Sequence, residues 1–178
     1  MNTQDTYQNT IQFAAQQHTD KNQTIPGSHL PYVVHLSNVA MEILVASEKS
    51  ENFNTEFAIQ LALLHDTLED TDVTFEELEY QFGKAVADGV LALTKNSDLE
   101  KSEKMMDSLR RIQQQPKEVW AVKLADRITN LQTPPHFWKE EKIIKYKEEA
   151  KIILEELRGG NAYLERRLGD KIKKYNCL

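Results

Sequence analysis

The chain has 178 residues, 40% of them hydrophobic and 28% charged, with a formal net charge of −6. These totals describe one soluble globular domain, and the acidic balance excludes non-specific nucleic-acid binding, which needs a basic footprint. The single cysteine, Cys177, excludes an intrachain disulfide and a thiolate zinc site, while the polar start MNTQDTYQNT and the lack of any apolar run near the ~20 residues of a membrane span point to a cytoplasmic protein with no membrane association.

Helical periodicity runs along most of the chain, and no segment alternates as a strand does. The first predicted helix covers about Thr6 to His18. The loop DKNQTIPGSHLP follows, with Pro26, Gly27 and Pro31. A second helix runs from Tyr32 to Ser47 and a third from Thr55 to Leu68, which carries FAIQLALL. In TFEELEYQFG, Thr74 is an expected N-cap with Glu77 as its capping-box partner, and Gly83 is a stop. Helices at Lys84–Leu93 and Leu99–Gln114 come next. Pro116 is placed to open PKEVWAVKLADRITNL, and Pro134 with Pro135 closes it. Two charged helices, Lys139–Leu157 and Asn161–Tyr175, are split by Gly159 and Gly160. The reading is one all-α domain over residues 1–178.

Polar residues on apolar faces carry the functional signal. His35 shares a face with Val39 and is readable as a core histidine or as a ligand. Val119, Val122, Asp126 and Asn130 fall on one helical face, so the Asp126 carboxylate is expected to be partly buried and to need a cation. Lys123 or Arg127 could supply an ion pair, and a metal would serve as well. In LLHDTLEDT, His65 and Glu69 are four apart, as are Asp66 and Asp70. The set His35, His65, Asp66 and Asp126 offers two imidazoles and two carboxylates from three predicted helices. Such residues can meet in the core of a bundle. Mixed nitrogen and oxygen ligands without thiolate suit Mn²⁺, Fe²⁺ or a related ion, and hydrolysis is the chemistry such a site performs.

The order H…HD…D resembles the HD-domain metal-dependent phosphohydrolases. ALLHDTLEDTDVTFEELEYQFGKAVADGVLALTK and VKLADRITNL narrow the likeness to the hydrolase domain of the RelA/SpoT homologues, in particular the small alarmone hydrolases of the metazoan SpoT type, over about Phe13 to Leu157. The resemblance implies an HD-type helical bundle holding one Mn²⁺ on His35, His65, Asp66 and Asp126. It implies that Glu69 and Asp70 activate water and handle protons. It puts Tyr32, Lys95, Asn130, Thr133, Lys142 and Tyr146 along a nucleotide. The implied reaction removes the 3′-diphosphate of (p)ppGpp as pyrophosphate.

The loop KNQTIPGSHLPYVVH departs from the family pattern, which carries an Arg-Lys pair before the Pro-Tyr motif. Here Lys21 stands without an arginine, and TPPHFW is short. Both changes border the expected base pocket, so (p)ppApp stands beside (p)ppGpp as a substrate. Another phosphoester, or a non-catalytic nucleotide-binding module, are the alternative functions.

Overall fold

The computed structural model describes residues 2–175, and Cys177 lies outside them. Ten helical segments follow one another: α1 Thr3–Asp20, α2 Val33–Ser47, α3 Thr55–Leu64, α4 Thr67–Asp70 and α5 Phe75–Phe82, then α6 Lys84–Leu93, α7 Lys104–Gln113, α8 Lys117–Asn130, α9 Glu140–Glu156 and α10 Ala162–Lys174. No strand forms among the described residues. Only an isolated bridge joins Thr24 to Pro31. The fold is all-α, as the periodicity implies.

Local chemistry sets most helix ends. Asn2, Asn54, Thr74 and Asn161 cap α1, α3, α5 and α10 by accepting from backbone amides in the first turn. Thr74 supplies its half of the expected capping box, while the Glu77 carboxylate accepts from Gln81 at 3.3 Å. Gly83 ends α5 at φ +87°, a conformation that suits a residue without Cβ. Pro116 stands at the start of α8, as expected.

Two helices differ from their predicted spans. The predicted helix Thr55–Leu68 ends at Leu64, and a separate turn begins at Thr67. The helix expected from Leu99 starts only at Lys104. Polar side chains hold the chain before it in turns: Asn96 Oδ1 accepts from the Asp98 amide at 3.0 Å, and Lys104 Nζ reaches the Ser97 carbonyl at 3.1 Å.

The core is built around α3. Ala58, Ile59 and the run Leu61 to Leu64 are fully buried, because α1, α2, α6 and α8 surround this helix. The run from Leu61 to Leu64 is apolar on every side, and such a run is stable only inside. Gly89 allows α6 to come close: a Cβ there would lie 2.5 Å from Leu61 Cδ2. α10 packs across α8 and α9. The Arg167 guanidinium pairs with both Glu42 oxygens at 2.5 Å, tying α10 to α2. Among the described residues, no helix is long and apolar enough to cross a membrane.

Leu61 is therefore a sensitive point. Leu61→Ala should destabilise the protein by about 2–5 kcal/mol, because its packed neighbours cannot close the cavity. Urea unfolding should show a lower midpoint with an unchanged slope.

Candidate metal centre

The centre begins where α3 stops. The His65 Nδ1–H donates to the Ala62 carbonyl at 2.9 Å, and the Thr67 hydroxyl donates to the Leu64 carbonyl at 2.7 Å. In a continuous helix those carbonyls would receive the amides of Asp66 and Leu68. Asp66 takes φ −104°, ψ 0° at the break. Neighbouring side chains on an unbroken helix diverge by ~100°. The break instead lets His65 Nε2 and Asp66 Oδ2 stand 2.9 Å apart.

Hydrogen bonds fix both imidazoles. A carbonyl only accepts, so the bond to Ala62 keeps a proton on His65 Nδ1 and leaves Nε2 facing inward. For His35, Thr129 does the same work. Its hydroxyl donates to the Asp126 carbonyl at 2.9 Å, which leaves a lone pair toward His35 Nδ1 at 3.5 Å. The two Nε2 atoms then lie 3.4 Å apart. Asp126 Oδ1 lies 3.5 Å from His35 Nε2 and 3.8 Å from His65 Nε2. Asp66 Oδ2 is 3.8 Å from His35 Nε2. One donor atom each from His35, His65 and Asp126 fall within 4.8 Å of one another. Two inward imidazole nitrogens with carboxylate oxygens at such spacings fit a divalent ion with mixed ligands, and each histidine has the outer hydrogen bond that metal ligands use.

Without an ion the charges must balance among themselves. Burial alone lowers the pKa of His65, but Asp66 and Asp126 outweigh it and push the imidazole up to about 10. Burial raises both carboxyls. His65 outweighs this at Asp66, and Lys123 with the two imidazoles outweighs it at Asp126, so both stay below the usual carboxylate range. Lys123 Nζ holds Asp126 Oδ2 at 3.1 Å. The ion pair weighed as the alternative to a metal thus forms with one Asp126 oxygen, while the other faces the histidines.

A model of the HD domain matches residues 10–160. The chain belongs to the HD-domain family. It is 37% identical over 163 residues to the zebrafish (Danio rerio) guanosine-3′,5′-bis(diphosphate) 3′-pyrophosphohydrolase MESH1, covering 89% of this chain and 88% of that protein. The human MESH1 is 32% identical over 166 residues, covering 91% and 90%. A solved structure described as a metazoan orthologue of SpoT that hydrolyses ppGpp superposes with a TM-score of 0.81 at 31% identity, covering 97% of each chain. A Listeria monocytogenes structure at 24% identity and TM-score 0.65, covering 82% of this chain and 97% of its own, shares the fold.

Around the HD cluster the structure gathers some predicted residues and separates others. The Tyr32 hydroxyl donates to Asp66 Oδ2 at 2.5 Å, and burial with Asp66 raises its pKa far above that of an ordinary phenol. The Asn130 amide donates to Asp126 Oδ1. Glu69 does not share a helical face with His65, since the helix breaks between them. Its carboxylate accepts from Lys95 Nζ at 2.7 Å and from the Lys95 amide at 3.1 Å. Burial lowers the Lys95 pKa, and the Glu69 bond more than reverses this. Asp70 accepts from Gln23 Nε2 at 2.8 Å, and its amide bonds the Asp66 carbonyl. Burial raises the Asp70 carboxyl, the Gln23 bond opposes this, and Asp66 and Glu69 add to the rise. Tyr146 lies under the Arg127 guanidinium at 4.2 Å, and Lys142 lies over the Trp138 ring at 3.9 Å. Thr133 lines a groove against α10.

Three contributors escaped the sequence reading. Thr129 orients His35. Gln23 bonds Asp70, and the carboxamide oxygen of Gln23 in turn takes a bond from His18 Nδ1. His18 is buried and leans on the Tyr32 ring at 4.8 Å. Thr129 has a signal, three residues past a buried aspartate on the same helix. Gln23 has none, because its partner is 47 residues away.

A metal ion held by His65 Nε2 would displace the second proton of that imidazole. At pH 7.5, adding Mn²⁺ should release close to one proton per chain, and affinity should rise with pH up to about 10. Calorimetry in buffers of different ionisation enthalpy measures the release. Binding without proton release would contradict the raised pKa of His65.

Proposed function

We propose that this chain is a metal-dependent hydrolase that removes the 3′-diphosphate from guanosine-3′,5′-bis(diphosphate) as pyrophosphate. One observation carries the reading: two imidazole Nε2 atoms, 3.4 Å apart, converge with Asp66 and Asp126 beside Glu69 and Asp70, in an HD chain similar to MESH1 along nearly its full length. His35, His65, Asp66 and Asp126 would hold the ion, which we take to be Mn²⁺. When bound, the ion supplies a Lewis acid that makes water more acidic and draws charge from a phosphoryl oxygen.

The chain's own residues account for the protons. The bond broken joins the 3′ oxygen to its first phosphorus. Water supplies the new oxygen on pyrophosphate, and the 3′ oxygen leaves as a hydroxyl after taking one proton. Asp70 is suited to accept and return that proton, because burial and the nearby Asp66 and Glu69 charges raise its carboxyl. Gln23 limits its orientation through the bond to Oδ2. Glu69 holds Lys95 close to the centre, where the ammonium can meet phosphate oxygens. Tyr32 and Asn130 each donate to a metal-facing carboxylate and restrain it. Thr133, Lys142 and Tyr146 are assigned to the nucleotide beyond the reacting phosphates.

The base is open to both purines. The loop between α1 and α2 has Lys21 and no arginine, and Lys21 is already paired with Asp72 at 2.5 Å. This favours weak discrimination by the loop, with (p)ppApp as a second substrate. The same reading makes the chain a single HD unit over residues 1–178, cytoplasmic and acting on a soluble nucleotide.

The deciding assay compares ppGpp and ppApp with the Mn²⁺-loaded protein, with products separated by anion exchange. Pyrophosphate should appear from ppGpp and from ppApp, and Asp66→Ala should produce none. Asp70→Asn should keep the ion and lose about 10²–10⁴ in rate. Full activity in Asp66→Ala would refute the ligand assignment. Turnover of other phosphoesters alone would refute the substrate.

A further inference from the structure

A groove of about 720 Å³ opens between α10 and the segment that follows α8. One wall is a single face of α10, where Arg166, Arg167, Lys171 and Lys174 fall at helical spacing with Asp170 among them. The opposite wall is the backbone and side chains of residues 131–134. Four cations therefore meet one carboxylate, in a chain whose net charge is −6.

The charge inside the groove is poorly neutralised. Asp170 pairs with Lys173, which is not part of the lining. Glu42 neutralises Arg167. Among the described residues, Arg166 and Lys174 have no carboxylate partner, and both are exposed. Burial lowers the pKa of Lys171, and Arg167 and Lys174 lower it further, while only Glu42 opposes them. A basic last turn is ordinary at a helix C-terminus, where it complements the dipole. Four cations crowded on one groove-lining face with a single carboxylate among them are not, since each raises the cost of the next unless an anion joins them. The volume is larger than a single phosphate fills and matches a nucleotide-sized ligand.

We propose that this groove binds a nucleoside polyphosphate, separately from the metal centre, with its phosphate chain along Arg166, Lys171 and Lys174. The inference stands on the α10 groove alone and does not rest on the alarmone reading. Thr133 and the Leu131 carbonyl form the border with the centre. Lys171 Nζ lies 3.5 Å from that carbonyl, and Leu131 directly follows Asn130, whose amide holds Asp126.

The test uses the full ¹⁵N-labelled chain loaded with Mg²⁺, titrated with GTP and, separately, with inorganic tripolyphosphate. GTP has no 3′-phosphate to lose. Both probes should shift amides of residues 162–175, none of which is assigned to the alarmone substrate. R166E/K174E should weaken both by about tenfold or more, because it replaces two attractions with repulsions. K101E, at an exposed lysine before α7 and outside the lining, should bind as the unaltered chain does. R166A alone should show a smaller loss and guards against misfolding of the double variant, which its amide spectrum also checks. Shifts confined to residues around His35, His65 and Asp126 would overturn the proposal. So would unchanged affinity in R166E/K174E, or binding of tripolyphosphate without GTP.

Discussion

Two carboxylates buried beside two imidazoles are the arrangement to which much of this structure answers. Buried charge is costly unless it is paired, and here like charges are brought together on purpose. Asp126 sits on a helix otherwise set by apolar packing, so α8 cannot turn away without exposing Val119 and Val122. The surrounding groups follow from that. Lys123 occupies one Asp126 oxygen, Tyr32 and Asn130 restrain the carboxylates, and Thr129 and the Ala62 carbonyl hold the outer nitrogens of the histidines. Lys123, Thr129 and the Ala62 carbonyl take outer atoms and leave the inner ones facing the same small volume, while Tyr32 and Asn130 bond the inner oxygens of Asp66 and Asp126.

The interruption after Leu64 is the local device that makes such a cluster reachable. Consecutive residues on a regular helix cannot both aim at one point. By giving the Ala62 and Leu64 carbonyls to side-chain donors, the chain removes two rungs of the ladder and turns Asp66 alongside His65. At the end of the single-turn α4, the Thr71 hydroxyl joins its own amide on the Thr67 carbonyl. The apolar segment before the break is anchored on all sides, so the distortion is confined to the polar end.

Much of this was legible in the residues. Apolar periodicity located α2, α3, α6 and α8, and the cap at Thr74 is local chemistry that the sequence displays. The face shared by Val119, Val122 and Asp126 foretold a buried carboxylate, and the H…HD…D order carried the family. The break in α3 was not visible, because threonine and histidine bonding to carbonyls competes with the helix only once the helix is held in place. The late start of α7 failed for a related reason: Asn96 and Lys104 favour turns by bonds that no periodicity records. The bonds of Gln23 to Asp70 and of Lys21 to Asp72 were invisible because the partners are 47 and 51 residues away.

Those two long-range bonds join the loop after α1 to the acidic turn. Gln23 reaches Asp70, Lys21 reaches Asp72, and Gly27 at φ +82° nestles against Pro135 in the segment after α8. The loop proposed to face the base is thus mechanically continuous with Asp70, the carboxylate proposed to handle protons. On that proposal, recognition and turnover share parts. A lineage that altered the loop to accept a different purine would also have retuned its reaction rate, so new substrates here would arise through paired changes in the loop and in the acidic turn, and single substitutions in either would tend to be dead ends.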